Sequence, residues 1–264
     1  MGCLLAVLLA VIGLGGAAAA IAALYRDELV LAIVLSEARA HGVALEVGAV
    51  AIEHDGLTVK SVTLSNARLT TRALPGVTIA AEEIVVTVDA DRKPVSAATR
   101  RAKATFDEAP GVVVTVAKAD TAIVDFAPRT MALDQVKIDA PDAHALFALS
   151  DVASKGPLAG IETHVKRISL RVQRVSDSLS MPLAVQVGGL EREADATVLT
   201  DVSTHVPILD RDERLDRVEI LAKADPVEVK IPKLPDVRLR LREQGRKIDV
   251  ELSRVPAETL SREL

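Results

Sequence analysis

Along most of the chain apolar residues recur at every second position, the spacing of a half-buried β-strand. Val43, Leu45 and Val47 alternate with other residues; Gly48 then shifts the phase, and Val50 and Ile52 continue it, as a β-bulge would produce. Asp55-Gly56 is a hairpin turn signal, and Leu57, Val59, Val62 and Leu64 form the return limb. Val77 and Ile79 lead into Ile84, Val86 and Val88. Val112, Val114 and Val116 follow Pro110-Gly111, and then come Val136-x-Ile138 and Ile168-x-Leu170-x-Val172. Leu183-x-Val185-x-Val187, Val198 to Val202, Val218-x-Ile220 and Val227-x-Val229-x-Ile231 continue the pattern, punctuated by Pro75-Gly76, Gly156-Pro157, Gly188-Gly189 and Pro232. The reading is a mainly β chain of a dozen or more short strands.

Two stretches depart from it. Cys3 to Leu24 carries no charge and, as a helix, would extend about 33 Å against a hydrocarbon core of about 30 Å. A transmembrane anchor over 1–25 is expected, with a cleaved signal peptide as the competing reading because Ala18, Ala20 and Ala22 offer small-residue cleavage patterns. Residues 26–42 then read as a juxtamembrane helix, with Arg39 and His41 in its last turn and Gly42 as its stop. SDVASKGPLAG, 150–160, divides the rest into β-rich modules over 43–155 and 156–264. Just before it, PDAHALFALSD reads as a short covering helix with Leu146, Phe147 and Leu149 inward. RDERLDR, 211–217, reads as a solvated connection or turn of helix.

Four strands share a loose pattern: VKSVTLS (59–65), LDQVKID (133–139), VKRISLR (165–171) and LDRVEIL (215–221). Each has an aliphatic residue, two polar ones, then alternating aliphatics. This marks either a repeating unit or the limited vocabulary of half-buried strands.

The stretch VRLRLREQGRKIDVEL, 237–252, sets an Arg row against an aliphatic row. Paired across a loop at Glu243 to Arg246, Arg240 faces Asp249 and Arg238 faces Glu251, while Val237, Leu239 and Leu241 meet Leu252, Val250 and Ile248. The Arg row is thus neutralised by its own hairpin partner. The aliphatic row needs a cover, and helices are too few to supply it. The sheet is expected either to close into a sandwich or jellyroll, or to remain an extended, twisted antiparallel sheet forming a groove for acyl chains. In the second case Val227, Val229, Ile231, Val237, Leu239, Leu241, Ile248, Val250 and Leu252 are the expected lipid-facing residues.

Composition narrows function. The 264 residues include no Trp, one Tyr and three Phe, too few aromatic platforms for stacking on sugars or single-stranded nucleic acid. Net charge is −5 with both signs interspersed, so no nucleic-acid partner is expected. The single Cys3 cannot form an intramolecular disulfide. Gly13, Gly15 and Ala18 match the spacing of a dinucleotide fingerprint, but an apolar run follows them where a crossover helix and a parallel strand should be. The five histidines lack metal-ligand spacing; Glu162-x-His164 alone sets a carboxylate beside one, and exposed strand positions account for it. Without a nucleophile elbow, P-loop or EF-hand loop, the chain reads as a non-enzyme with no cofactor or metal.

The stretch LSEARAHGVALEVGAVAIEHDGLTVKSVTLSNARL after an apolar span, followed by PGVTIAAEEIVVTVD, resembles the start of AsmA-like envelope proteins of the repeating β-groove class. The resemblance rests on Gly42, the strand to Ile52, the Asp55-Gly56 turn, Val59 to Leu64 and the strand Ile84 to Val88, about the first 90 residues. It implies a single-pass protein of the bacterial inner membrane with its bulk in the periplasm. It also implies binding or transfer of phospholipid or lipopolysaccharide, a role in envelope biogenesis, and other envelope proteins as further partners. Lipopolysaccharide-transport jellyroll proteins are similar in layout. A membrane-tethered assembly module with protein partners and no lipid groove is the alternative.

Overall fold

The structure, a computed structural model, describes residues 31–32, 35–36, 38–39, 42–55, 58–72, 74–90, 93–124, 127–154, 162–174, 182–192, 197–206, 211–221, 227–230, 238–244 and 247–253, the last two by their backbone. The expected anchor over 1–25 lies outside these residues, as does the start of the expected juxtamembrane helix. Leu31, Ala32, Leu35, Ser36, Ala38 and Arg39 are helical. Gly42 ends this segment at φ 75°, its N–H donating to the Arg39 carbonyl at 3.0 Å, a conformation that favours glycine. Among the described residues no helix is long and apolar enough to cross a membrane.

The first strands are β1 (Val43–Glu46), β2 (Ala49–Asp55), β3 (Thr58–Thr71), β4 (Leu74–Val88), β5 (Pro94–Phe106), β6 (Val113–Val124) and β7 (Ala127–Asp142). Helix α1 (Ala143–Ser154) leads to β8 (Glu162–Arg174), β9 (Leu183–Arg192), β10 (Thr197–Val206), β11 (Arg211–Leu221), β12 (Val227–Lys230), β13 (Arg238–Gln244) and β14 (Lys247–Ser253). These fourteen strands form one open mixed sheet in which each strand from β3 onward hydrogen-bonds its successor, while β1 and β2 both pair with β3. The described strands therefore do not divide into two stacked sheets. The sheet is not wholly antiparallel either, because β7 and β8 pair in parallel. Two parallel neighbours need a crossover, and α1 supplies it. Asp142 caps this helix, its Oδ1 accepting from Ala145 N–H at 2.8 Å, and Ala145, Leu146 and Leu149 pack on Ala109, Val112 and Ala140. RDERLDR lies in β11, where Arg211 to Leu215 pair with Val202 to Val206; the ladder to β10 and the cross-strand pair of Asp212 with His205 at 3.0 Å hold its consecutive charges in a strand, so the expected connection or turn of helix is corrected.

The strands are longer than the short runs read from the sequence because each run is half a strand. In β5 the inward residues are Ala97 and Thr99, then Ala102 and Ala104, with Arg100 and Arg101 both exposed between them. Each strand from β3 to β11 has such a two-residue spacer between inward positions: Ser65-Asn66, Glu82-Glu83, Arg100-Arg101, Ala117-Lys118, Asp134-Gln135, Lys166-Arg167, Gly188-Gly189, Thr200-Asp201 and Asp216-Arg217. The spacers lie side by side. One pair is missing from every ladder at this level, between Ser65↔Glu83 and Ala67↔Ala81, for example, and the register resumes in step beyond it. No strand gains a residue on its neighbour, so these are not bulges. The sheet creases as a whole along one line.

Backbone conformation explains the crease. Asn66, Arg101, Gln135, Arg167 and Asp201, the non-glycine residues of positive φ among those described, lie one each on β3, β5, β7, β8 and β10 at this level. These are the strands that run in one direction, and the parallel step from β7 to β8 keeps the rule. A left-handed residue turns the strand and lets two successive side chains point outward, at a cost of about 1–2 kcal/mol for a residue bearing Cβ. Gly48 marks the same line where the first strand breaks into β1 and β2, its N–H donating to the Ser65 carbonyl at 3.0 Å.

Candidate functional site

The crease gives the sheet two limbs whose inner faces share one trough. Beside the line on one limb run Ala67, Ala81, Ala102, Val116, Val136, Ile168, Val187, Val202 and Leu215, in register from β3 to β11. Beside it on the other run Leu64, Ile84, Thr99, Ala119, Leu133, Val165, Leu190, Leu199 and Val218. Neither row holds a charged side chain. At about 4.8 Å per strand the rows extend about 38 Å across the nine strands.

The trough is filled at one end and hollow next to it. Leu64, Leu69, Ile79, Ile84 and Val86 are at most 3% exposed and form one core with Val43 and Val50. Ala38 and Leu31 of the helical segment pack into the same core, closing the β1–β4 end. On β5 the inward residues Ala97, Thr99, Ala102 and Ala104 are small, and on β6 Ala119 and Thr121 continue this on one limb. Small side chains at facing positions leave space, and a small cavity opens there between Ile79 on one side and Met131 and Leu133 on the other. Phe106 and Val114 on one limb and Thr121 on the other also line it, so both limbs enclose it. Beyond β7 the cores thin, and the last of them has only Val187, Val202 and Val218 buried, with Val185, Leu215, Ile220 and Val229 partly so.

The outer face of the crease is polar and self-neutralised. Arg101 pairs with Glu82 at 3.0 Å and Arg100 with Glu83 at 3.4 Å, each across β4 and β5. At the parallel step Arg167 Nε donates to Asp134 Oδ1 at 2.8 Å, and its Nη2 reaches the second carboxylate oxygen. This two-pronged donation holds the Asp134 carboxyl below its ordinary pKa. The stabilisation is present above the unfolded pKa and is lost as pH falls through the depressed folded one. Arg167→Gln is expected to return the Asp134 pKa to the ordinary carboxylate range in a side-chain carboxyl NMR titration; an unmoved value would show that the pair does not form in solution.

The expected lipid-facing residues fall at the far end of the ladder. Val229 packs beside Val218, and the registers Ile220↔Val229, Val229↔Leu239 and Leu239↔Leu252 set three expected residues in line with Ile220, two residues beyond Val218 on β11. Val227, Leu241 and Val250 occupy one further row by backbone register. Ile248 pairs with Glu243, and Ile231 and Val237 lie outside the described residues. The hairpin register differs by two residues from the one expected. Arg240 pairs with Glu251, Arg242 with Asp249 and Arg238 with Ser253, because the strands close through Gln244↔Lys247 rather than across a four-residue loop. A slip of two keeps every residue on its side of the sheet.

The small residues of β5 and β6 escaped the sequence reading because it followed Val, Ile and Leu. The signal was the run of Ala and Thr at alternate positions, PVSAATRRAKATF, interrupted by two arginines. His164 lies exposed on β8, opposite Ala132 and Glu191. Among the described residues no three His, Cys, Asp or Glu side chains gather as a metal site requires. Compared with known proteins, the chain matches no family model and no curated protein.

Proposed function

We propose that this is a membrane-anchored, periplasm-facing protein of the AsmA-like, repeating β-groove type, which holds lipid acyl chains in the trough and passes lipid between envelope membranes or supports their biogenesis. The observation that carries the reading is the pair of uncharged rows running unbroken along the crease from β3 to β11. Apolar area held open to water is unfavourable at about 25 cal/mol per Å2, so a trough of this kind is stabilised by an apolar occupant. The occupant is slender. Thr99, Val116, Met131 and Leu133 are at most 5% exposed although they border the cavity, and a helix about 10 Å across does not fit such a space. An aliphatic lining with a single aromatic ring suits a hydrocarbon tail better than a planar polycycle.

Mass spectrometry of the full chain extracted in mild detergent tests this. Phospholipid or lipopolysaccharide retained in stoichiometric amount is expected. Protein partners recovered with no bound lipid would instead favour a membrane-tethered assembly module and overturn the lipid reading.

A further inference from the structure

We infer that the hollow at β5 and β6 seats the methyl end of one hydrocarbon tail, and that Ala102 and Ala104 set the length of tail the trough accepts. The inference rests on the lipid reading above and adds a direction and a stop to it. The direction comes from the two unlike ends of the trough. Toward β3 the inner positions of β4 are filled by Ile79, Ile84 and Val86, each at most 3% exposed and backed by Leu64, Leu69 and the helical segment. No tail passes that wall. Toward β8 and beyond, the rows continue through Ile168, Leu190, Leu199 and Leu215, only partly buried, beside Val165, Val187, Val202 and Val218, which are 6–9% exposed. A tail lying along the crease therefore has its head group toward the C-terminal strands and its methyl end against β4.

The stop is set by side-chain size on β5. Four successive inward positions there are Ala97, Thr99, Ala102 and Ala104; the rows of Ala102 and Ala104 carry Val116 and Val114 on β6 and Val136 and Ile138 on β7, and those of Thr99 and Ala97 carry Ala119 and Thr121 on β6. Were Ala102 and Ala104 as bulky as Val116 and Val114 opposite them, the wall would stand one strand nearer the open end, shortening the path by about 4.8 Å. Ala102 and Ala104 lie on one limb and bound the cavity together with Ile79 and Phe106. Leucine at both positions fills that space.

The test compares lauric and palmitic acid binding to the full, delipidated chain in mild detergent. In the unaltered protein affinity rises from lauric to palmitic acid as more methylenes are buried. In Ala102→Leu/Ala104→Leu the palmitic acid affinity is expected to fall about two-hundredfold, the loss of about four buried methylenes, while that for lauric acid holds. Phe106→Leu, which enlarges the hollow without adding bulk, is expected to extend the preference toward stearic acid and keeps the question open to test if the double variant does not fold. Equal losses for both acids in the double variant, or no shift of preference in either variant, would overturn the ruler and leave the trough standing. Failure of the unaltered chain to bind any of the acids would count against the lipid reading itself.

Discussion

Leu64→Ala is expected to destabilise the folded chain by about 2–5 kcal/mol, measured by chemical denaturation. Leu64 is 1% exposed and stands beside the crease, in register with Val50 on β2 and Ile84 on β4. Its neighbours belong to a core of thirteen buried residues that the helical segment helps close. Little can shift to fill the space it leaves, which puts the cost toward the upper end of that range. Val218→Ala, at the same level of the trough on β11, is expected to cost only about 1–2 kcal/mol at ~0.8 kcal/mol per methylene. Its core has three buried residues and open neighbours that can relax. Hydrogen exchange should show the same gradient, with amides of β3 and β4 protected longest and those of β10 and β11 opening first. Equal costs at the two sites would mean that the trough is as closed at β11 as at β3, against the direction assigned to a bound tail.

Much of the strand content was legible from alternation alone, and the reason is physical: a sheet with one buried face must repeat its apolar residues at period two. Gly42 as a helix stop and the capped helix beginning at Ala143 were legible for equally local reasons. The parallel step was not, because nothing in the sequence of β8 distinguishes the direction of its partner. The crease was present in the sequence in fragments. The phase shift at Gly48 looked like a bulge, and LDQVKID, VKRISLR and LDRVEIL looked like a faint repeat. Each of these three spans a spacer, at Asp134-Gln135, Lys166-Arg167 and Asp216-Arg217. The shared pattern is thus one geometric requirement met strand by strand: apolar, two outward residues, apolar. It stayed faint because the outward pair can be charged, polar or Gly-Gly, and the flanking inward pair can be as small as alanine. VKSVTLS, which ends at Ser65 just before the crease, shows the same pattern at the β2–β3 irregularity near Glu53 and His54.

Deleting Gln135 tests the crease directly and is expected to abolish cooperative folding or lower stability by several kcal/mol. The backbone of Gln135 is left-handed at φ 53°, and its strand runs in step with β6 and β8 on both sides of the line. Removing one residue from β7 alone leaves two choices. If Leu133 keeps its place, Val136, Ile138 and Ala140 each move by one position and exchange faces with Lys137 and Asp139, because side chains alternate with period two. If Val136 keeps its place, Met131 and Leu133 turn outward instead. Either way at least two buried aliphatic side chains leave the trough, at about 1.5–3 kcal/mol each, and polar ones enter it. That is comparable with the 5–15 kcal/mol by which a typical domain is stable. Gln135→Gly keeps the residue count and suits the left-handed backbone; it is expected to change stability by no more than about 1 kcal/mol, the relief of strain offsetting the entropy of glycine. Circular dichroism and thermal unfolding of the two variants separate the explanations. A deletion variant as stable as Gln135→Gly would show that β7 can cross this line without the extra outward residue, and that the aligned spacers do not set which side chains the trough receives.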